Sequence, residues 1–238
     1  MKQHLGFRKL GFQSLESRTL MAGDVYANIS KSGTLLAVCG SDAADRIAIV
    51  ANGHGYTIAG LGDTSVNGQQ TVEFKNISKS LSIDMGCGDD YVELANLTIG
   101  KDLCVNLGAG NDVFIAANVK VGCNMTVQAD EYYRREGDRS SSDNSDGGND
   151  VVSLQNVKIG GNLCISTGDG RDSVALGLVA VKKNLEVNVG DGENDVVAVS
   201  ASSAKCASFY SQGDSSKLVK TANNFKRENH YGWDTVVG

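Results

Sequence analysis

Proline is absent from this chain, aromatic residues make up only 6%, and no run of 18 apolar residues occurs anywhere in it. Without proline, the corners of a strand-rich fold must be turned by Gly, Asn and Asp, which tolerate a positive φ. Glycine is plentiful, at 29 of 238 residues. The lack of a long apolar run leaves no segment able to cross a membrane as a helix. A basic excess is missing too. The net charge of -6 and the pI near 5.1 argue against nucleic-acid binding, which needs a basic stripe, and are compatible with cation binding. His4, His54 and His230 are too scattered for a zinc triad, no serine sits in a Gly-x-Ser-x-Gly setting, and no Cys-x-x-Cys occurs.

What the chain does have is a glycine-aspartate phrase at a nearly fixed interval. It reads Gly86-Cys87-Gly88-Asp89-Asp90, Gly108-Ala109-Gly110-Asn111-Asp112, Gly147-Gly148-Asn149-Asp150, Gly168-Asp169-Gly170-Arg171-Asp172 and Gly190-Asp191-Gly192-Glu193-Asn194-Asp195. The closing aspartates step by 22 (90 to 112), 38 (112 to 150), 22 (150 to 172) and 23 (172 to 195). A fixed period in the twenties is the mark of one supersecondary unit stacked on copies of itself. Around each aspartate the apolar residues alternate: Phe114/Ala116 and Val119/Val121 after Asp112, Val174/Leu176 and Val179/Val181 after Asp172, with Leu103-Val105-Leu107 before Gly108. Each set has the period of two expected of a strand with one buried face. Three short strands per turn, in constant order, predict an all-β, right-handed parallel β-helix with coils of about 22 residues. After Asp195 the pattern weakens to Ser202/Ala204, and the next coil places Lys217 where an aspartate is due.

The departures define the expected organisation: a leader over 1–24, a solenoid over 25–218 and a C-terminal cap or tail over 219–238. The step of 38 marks a lateral loop inserted at 128–146, where Tyr132, Tyr133, Arg134 and Arg135 form a candidate contact patch. Asp45 stands about two coils before Asp90, and the glycine-rich stretch between them reads as a degenerate coil or a capping hairpin. Of the six cysteines, Cys104 and Cys164 share a repeat position two coils apart, about 9–10 Å by strand spacing. A disulfide needs Cα atoms within about 7 Å, so the thiols are expected free. Outward positions carry Val113, Ile115, Val151 and Val196, a modest apolar stripe suited to lateral self-association.

Two resemblances add to this. Leu15-Glu16-Ser17-Arg18-Thr19-Leu20-Met21-Ala22 resembles the N-terminal motif of many planctomycete surface and secreted proteins. It implies export or a cell-surface location, with processing near Ala22. The phrase Gly-x-Gly-x-Asp before an apolar alternation is similar to the calcium-binding repeats of RTX proteins, where carboxylates and carbonyls of neighbouring turns hold the ion. In those repeats the phrase runs in tandem; here it comes once per coil. Stacking would set Asp90, Asp112, Asp150, Asp172 and Asp195 about 4.8 Å apart along one edge. The edge is either a candidate calcium site or a column of carboxylates accepting backbone N–H bonds, the glycines then merely supplying positive φ. The function expected is a non-catalytic, exported structural or adhesive module with an unidentified cell-surface or matrix partner. A calcium-binding repeat protein comes second, and a polysaccharide-active β-helix enzyme third.

Overall fold

The computed structural model describes residues 23–75, 79–130 and 147–238. The candidate patch at Tyr132, Tyr133, Arg134 and Arg135 and the leader motif lie outside the described residues. Strands stack into three ladders, the first two with antiparallel pairs only at their N-terminal end and the third parallel from Thr98 to Phe225. Sheet one contains Ser80–Asp84, Leu103–Asn106, Met125–Gln128, Leu163–Ser166, Asn184–Asn188, Cys206–Tyr210 and Glu228–Tyr231. Sheet two contains Arg46–Ala51, Tyr91–Ala95, Val113–Ala117, Val151–Gln155, Ser173–Gly177, Val196–Ser200, Lys217–Thr221 and Thr235–Val237. Sheet three is built of two-residue strands, from Thr98–Ile99 through Lys120–Val121, Lys158–Ile159, Ala180–Val181 and Ser203–Ala204 to Asn224–Phe225. The architecture is a β-solenoid.

Register follows the apolar alternation. Val92, Phe114, Val152, Val174 and Val197 pair in one column, and Leu81, Leu103, Met125, Leu163 and Leu185 in another; all are buried. A one-residue slip would turn every one of them outward, so the pairing is strongly specified. The weakened coil keeps the same inward positions. Ser202 is buried because its hydroxyl donates to the Ser200 carbonyl while accepting from the Val179 N–H. Ala204 lies directly under Phe225, whose ring meets Phe209 with centroids 6.1 Å apart, so aromatic volume replaces the missing aliphatic layer.

Three expectations about boundaries change. Asp45 is not two coils from Asp90: Arg46–Ala51 pairs directly with Tyr91–Ala95, so the two aspartates are in adjacent coils. Of the two readings of the glycine-rich stretch, the capping hairpin holds and the degenerate coil does not: Gly55–Gly60 lies antiparallel between Arg46–Ala51 and Thr71–Lys75. Tyr56 of that cap is buried and its hydroxyl donates to the Thr98 carbonyl at 2.7 Å, tying the cap to sheet three. The inserted loop begins later than residue 128, since Gln128 pairs with Asn106 and Ser166 and Ala129 is buried. Finally, Lys217–Thr221 runs across the 218/219 boundary, and residues up to Val237 continue the ladders as a last coil.

Candidate functional site

The glycine-aspartate phrase forms the corner between sheets one and two. The structure brings all five predicted aspartates into one column, as expected, but the column is buried. Asp90, Asp112, Asp150, Asp172 and Asp195 are each at most 1% exposed. Each Oδ1 accepts the backbone N–H of the aspartate one coil earlier: Asp112 from Asp90 at 2.7 Å, Asp150 from Asp112 at 2.8 Å, Asp172 from Asp150 at 2.9 Å and Asp195 from Asp172 at 3.0 Å. The column begins at Asp45, whose N–H donates to Asp90 Oδ1 at 2.7 Å. Where the glycines turn the chain, a short acceptor side chain satisfies a buried donor that would otherwise cost about 1–3 kcal/mol.

The column also runs further than the phrase. Its next position is Ser216, not Lys217, and its hydroxyl donates to Asp195 Oδ2 at 3.1 Å. Asp234 follows, and its Oδ2 accepts the Ser216 N–H at 3.1 Å. The alternation Asp234-Thr235-Val236 after a shortened coil was the signal for it. Asp130, also missed, stands where neighbouring coils place their first glycine, and its Oδ1 accepts from the Gly148 N–H at 3.4 Å.

Close packing explains the glycines. Gly110 has φ 138° and a Cβ there would collide with the Gly88 carbonyl oxygen. Gly148, in turn, has no room for a Cβ against the carbonyl of Gly110.

Burial has an electrostatic consequence. The Oδ2 atoms of Asp90, Asp112, Asp130, Asp150 and Asp172 are buried without a hydrogen-bond partner. Desolvation, with added repulsion between neighbouring carboxylates, pushes Asp90 and Asp150 up to about 8 and Asp130 and Asp172 up to about 7. Desolvation first, then Asp89, takes Asp112 to about 6, and burial raises Asp195 as well. At neutral pH much of the column is therefore held as neutral carboxyl groups.

Calcium needs six to eight oxygens. Asp90, Asp112, Asp150 and Asp172 each offer one unpartnered carboxylate oxygen and Asp130 adds another beside Asp150, whereas Asp195 Oδ2 already accepts from Ser216. No group of three or more His, Cys, Asp or Glu side chains is placed to hold a metal ion among the described residues.

The remaining predicted features are on the surface. All six cysteines are free, and Cys104 and Cys164 flank Thr126 in sheet one. The outward stripe is half-buried at Val113, Ile115 and Val196 and 40% exposed at Val151, but Ser153 and Ser173 interrupt it. No protein-family model, curated protein or solved structure matches the chain.

Proposed function

We propose that this chain is a non-catalytic, exported β-solenoid that serves as a stiff structural or adhesive module of the cell envelope. The observation that carries the reading is the aspartate column. The recurrent residues hydrogen-bond successive coils to one another, which makes the repeat a device for holding a long rod in register. The leader's resemblance to planctomycete surface proteins supports the location. Fractionation of the producing cells tests it: the chain belongs in the envelope or medium, with its N-terminus shortened near Ala22. Recovery of the intact chain from cytoplasm alone overturns the location, and release of reducing ends from polysaccharides by the purified protein overturns the non-catalytic assignment.

Calcium on the column is the second reading, and what favours it is the row of unpartnered Oδ2 atoms on Asp90, Asp112, Asp150 and Asp172. A melting temperature raised by millimolar calcium and lowered again by EDTA supports it. An unchanged melting temperature leaves the column to protons and backbone donors.

A further inference from the structure

The face opposite the aspartate corner is basic, although the chain as a whole is acidic. Sheet three and the corner that follows it carry exposed Lys101, Lys120, Lys158, Lys182, Lys183 and Lys205. Lys120 pairs in register with Lys158, and Lys182 follows the next strand of the same ladder. Lys226 and Arg227 extend the row into the last coil. Over this face Asp102 is the one carboxylate among the described residues, and its Oδ1 already accepts from Asn124. A shallow groove of about 440 Å³ runs across it, edged by Lys120, Lys158 and Lys182 and floored at Gly122 and Gly160.

Two amide columns border the groove. On one side Asn118 Nδ2 donates to Asn96 Oδ1 at 3.1 Å and Asn156 Nδ2 to Asn118 Oδ1 at 2.8 Å. On the other, Asn124 accepts from Asn162 through its Oδ1. The coils that carry these groups stack at the strand spacing of about 4.8 Å, close to the length of one sugar residue in an extended chain.

We infer that this lysine face is a binding surface for a linear acidic polysaccharide lying along the solenoid axis. Lysines supply point charges for carboxylates, and the amide columns supply partners for hydroxyls. Among the described residues no exposed aromatic side chain stands on the face to stack a base, which disfavours single-stranded nucleic acid. The acidic edge of a second copy is a poorer fit, because Asn111, Asn149 and Arg171 interrupt that edge in its middle coils. The inference deepens the adhesive reading and rests on it for its biological setting, while the binding itself is a property of the purified chain.

The test uses the full-length protein with polygalacturonate as probe, neutral dextran as uncharged control and single-stranded DNA as competing polyanion. Polygalacturonate binds at low salt, its affinity falls steeply as salt rises, and dextran does not bind. The triple variant Lys120→Glu, Lys158→Glu, Lys182→Glu weakens binding by about tenfold or more through lost charge contacts. Lys31→Glu, Lys75→Glu, Lys217→Glu, with the same change in net charge on other surfaces, keeps it. Should the first variant fail to fold, acetylation of the wild type gives the same answer: the polymer protects Lys120, Lys158 and Lys182 and leaves Lys31 reactive. No binding, equal losses in both variants, tighter binding to DNA, or a dimer that buries these lysines each overturns the inference. Failure here leaves the envelope location untouched, and a cytoplasmic location leaves the binding result untouched.

Discussion

Two corners of the same coil solve the same turning problem with different chemistry. At the corner between sheets one and two, the backbone N–H of each column aspartate from Asp45 to Asp172 has a side-chain acceptor, the carboxylate of the next coil. At the corner between sheets two and three, Asn96, Asn118 and Asn156 stand at φ 56°, 56° and 53°, yet their N–H groups bond to backbone carbonyls of Ala117, Gln155 and Gly177. At the first corner the column aspartate is buried and its side chain is part of the backbone's hydrogen-bond count. The second corner is exposed, and its side chains ease a left-handed turn and bond only to one another. Hence the first keeps Asp in coil after coil, while the second changes to Leu178, Ala201 and Ala222 at φ 55°, 46° and 53°.

The sharpest way to break the contrast is steric. Gly110→Ala puts a Cβ into the Gly88 carbonyl at a φ that L-residues rarely adopt. Strain and overpacking together are expected to cost about 3 kcal/mol or more, read as a large drop in the urea midpoint. A variant within experimental error of wild type would mean the glycine column is not packed as described.

The second prediction separates hydrogen bonding from charge at Asp150. Asp150→Ala removes the acceptor for the Asp112 N–H and is expected to cost about 1–3 kcal/mol. Asp150→Asn keeps an acceptor and removes the titration. Because the folded pKa of Asp150 is about 8 while an unfolded aspartate sits near about 3.9, the group's contribution is fully present below about pH 4. It is lost as pH rises towards 8. Melting temperature should therefore fall for the wild type as pH rises from about 4 to about 9, a span that covers both pKa values, and fall less for Asp150→Asn. Parallel curves would place the titration elsewhere.

How much of this was visible in the chain itself follows the same division. The period and the alternation around Asp112 and Asp172 placed the strands and their inward faces correctly, since burial imposes a strict pattern on residues such as Phe114 and Val174. The hydrogen-bonding role of the column was one of the two options the sequence left open, and the burial of the carboxylates was not foreseen. Asp45 escaped because an antiparallel cap separates it in sequence from a neighbour in space. Ser216 and Asp234 escaped because their coils are shorter than the period. The lysine face was invisible to net charge, which averages Lys120 and Lys158 against carboxylates on other surfaces, and its members do not recur at one repeat position.

The smallest effect expected is a gain at the permissive corner. Leu178 is 52% exposed and left-handed, and it sits where the preceding coil has Asn156. A left-handed conformation costs an ordinary residue about 1–2 kcal/mol, and asparagine visits it more readily. Leu178→Asn removes part of that strain and offers Asn156 Oδ1 a further amide donor, while the backbone bond from residue 178 to Ser200 needs no side chain. The expected stabilisation is about 0.5–1 kcal/mol, seen as a small rise in the urea midpoint. The same substitution in reverse, Asn118→Leu, should lose a similar amount and leave the fold intact, because what it removes is a side-chain ladder rather than the only partner of a buried donor. If Asn118→Leu instead cost as much as Asp150→Ala, the two corners would be equivalent and their difference in sequence would need another cause.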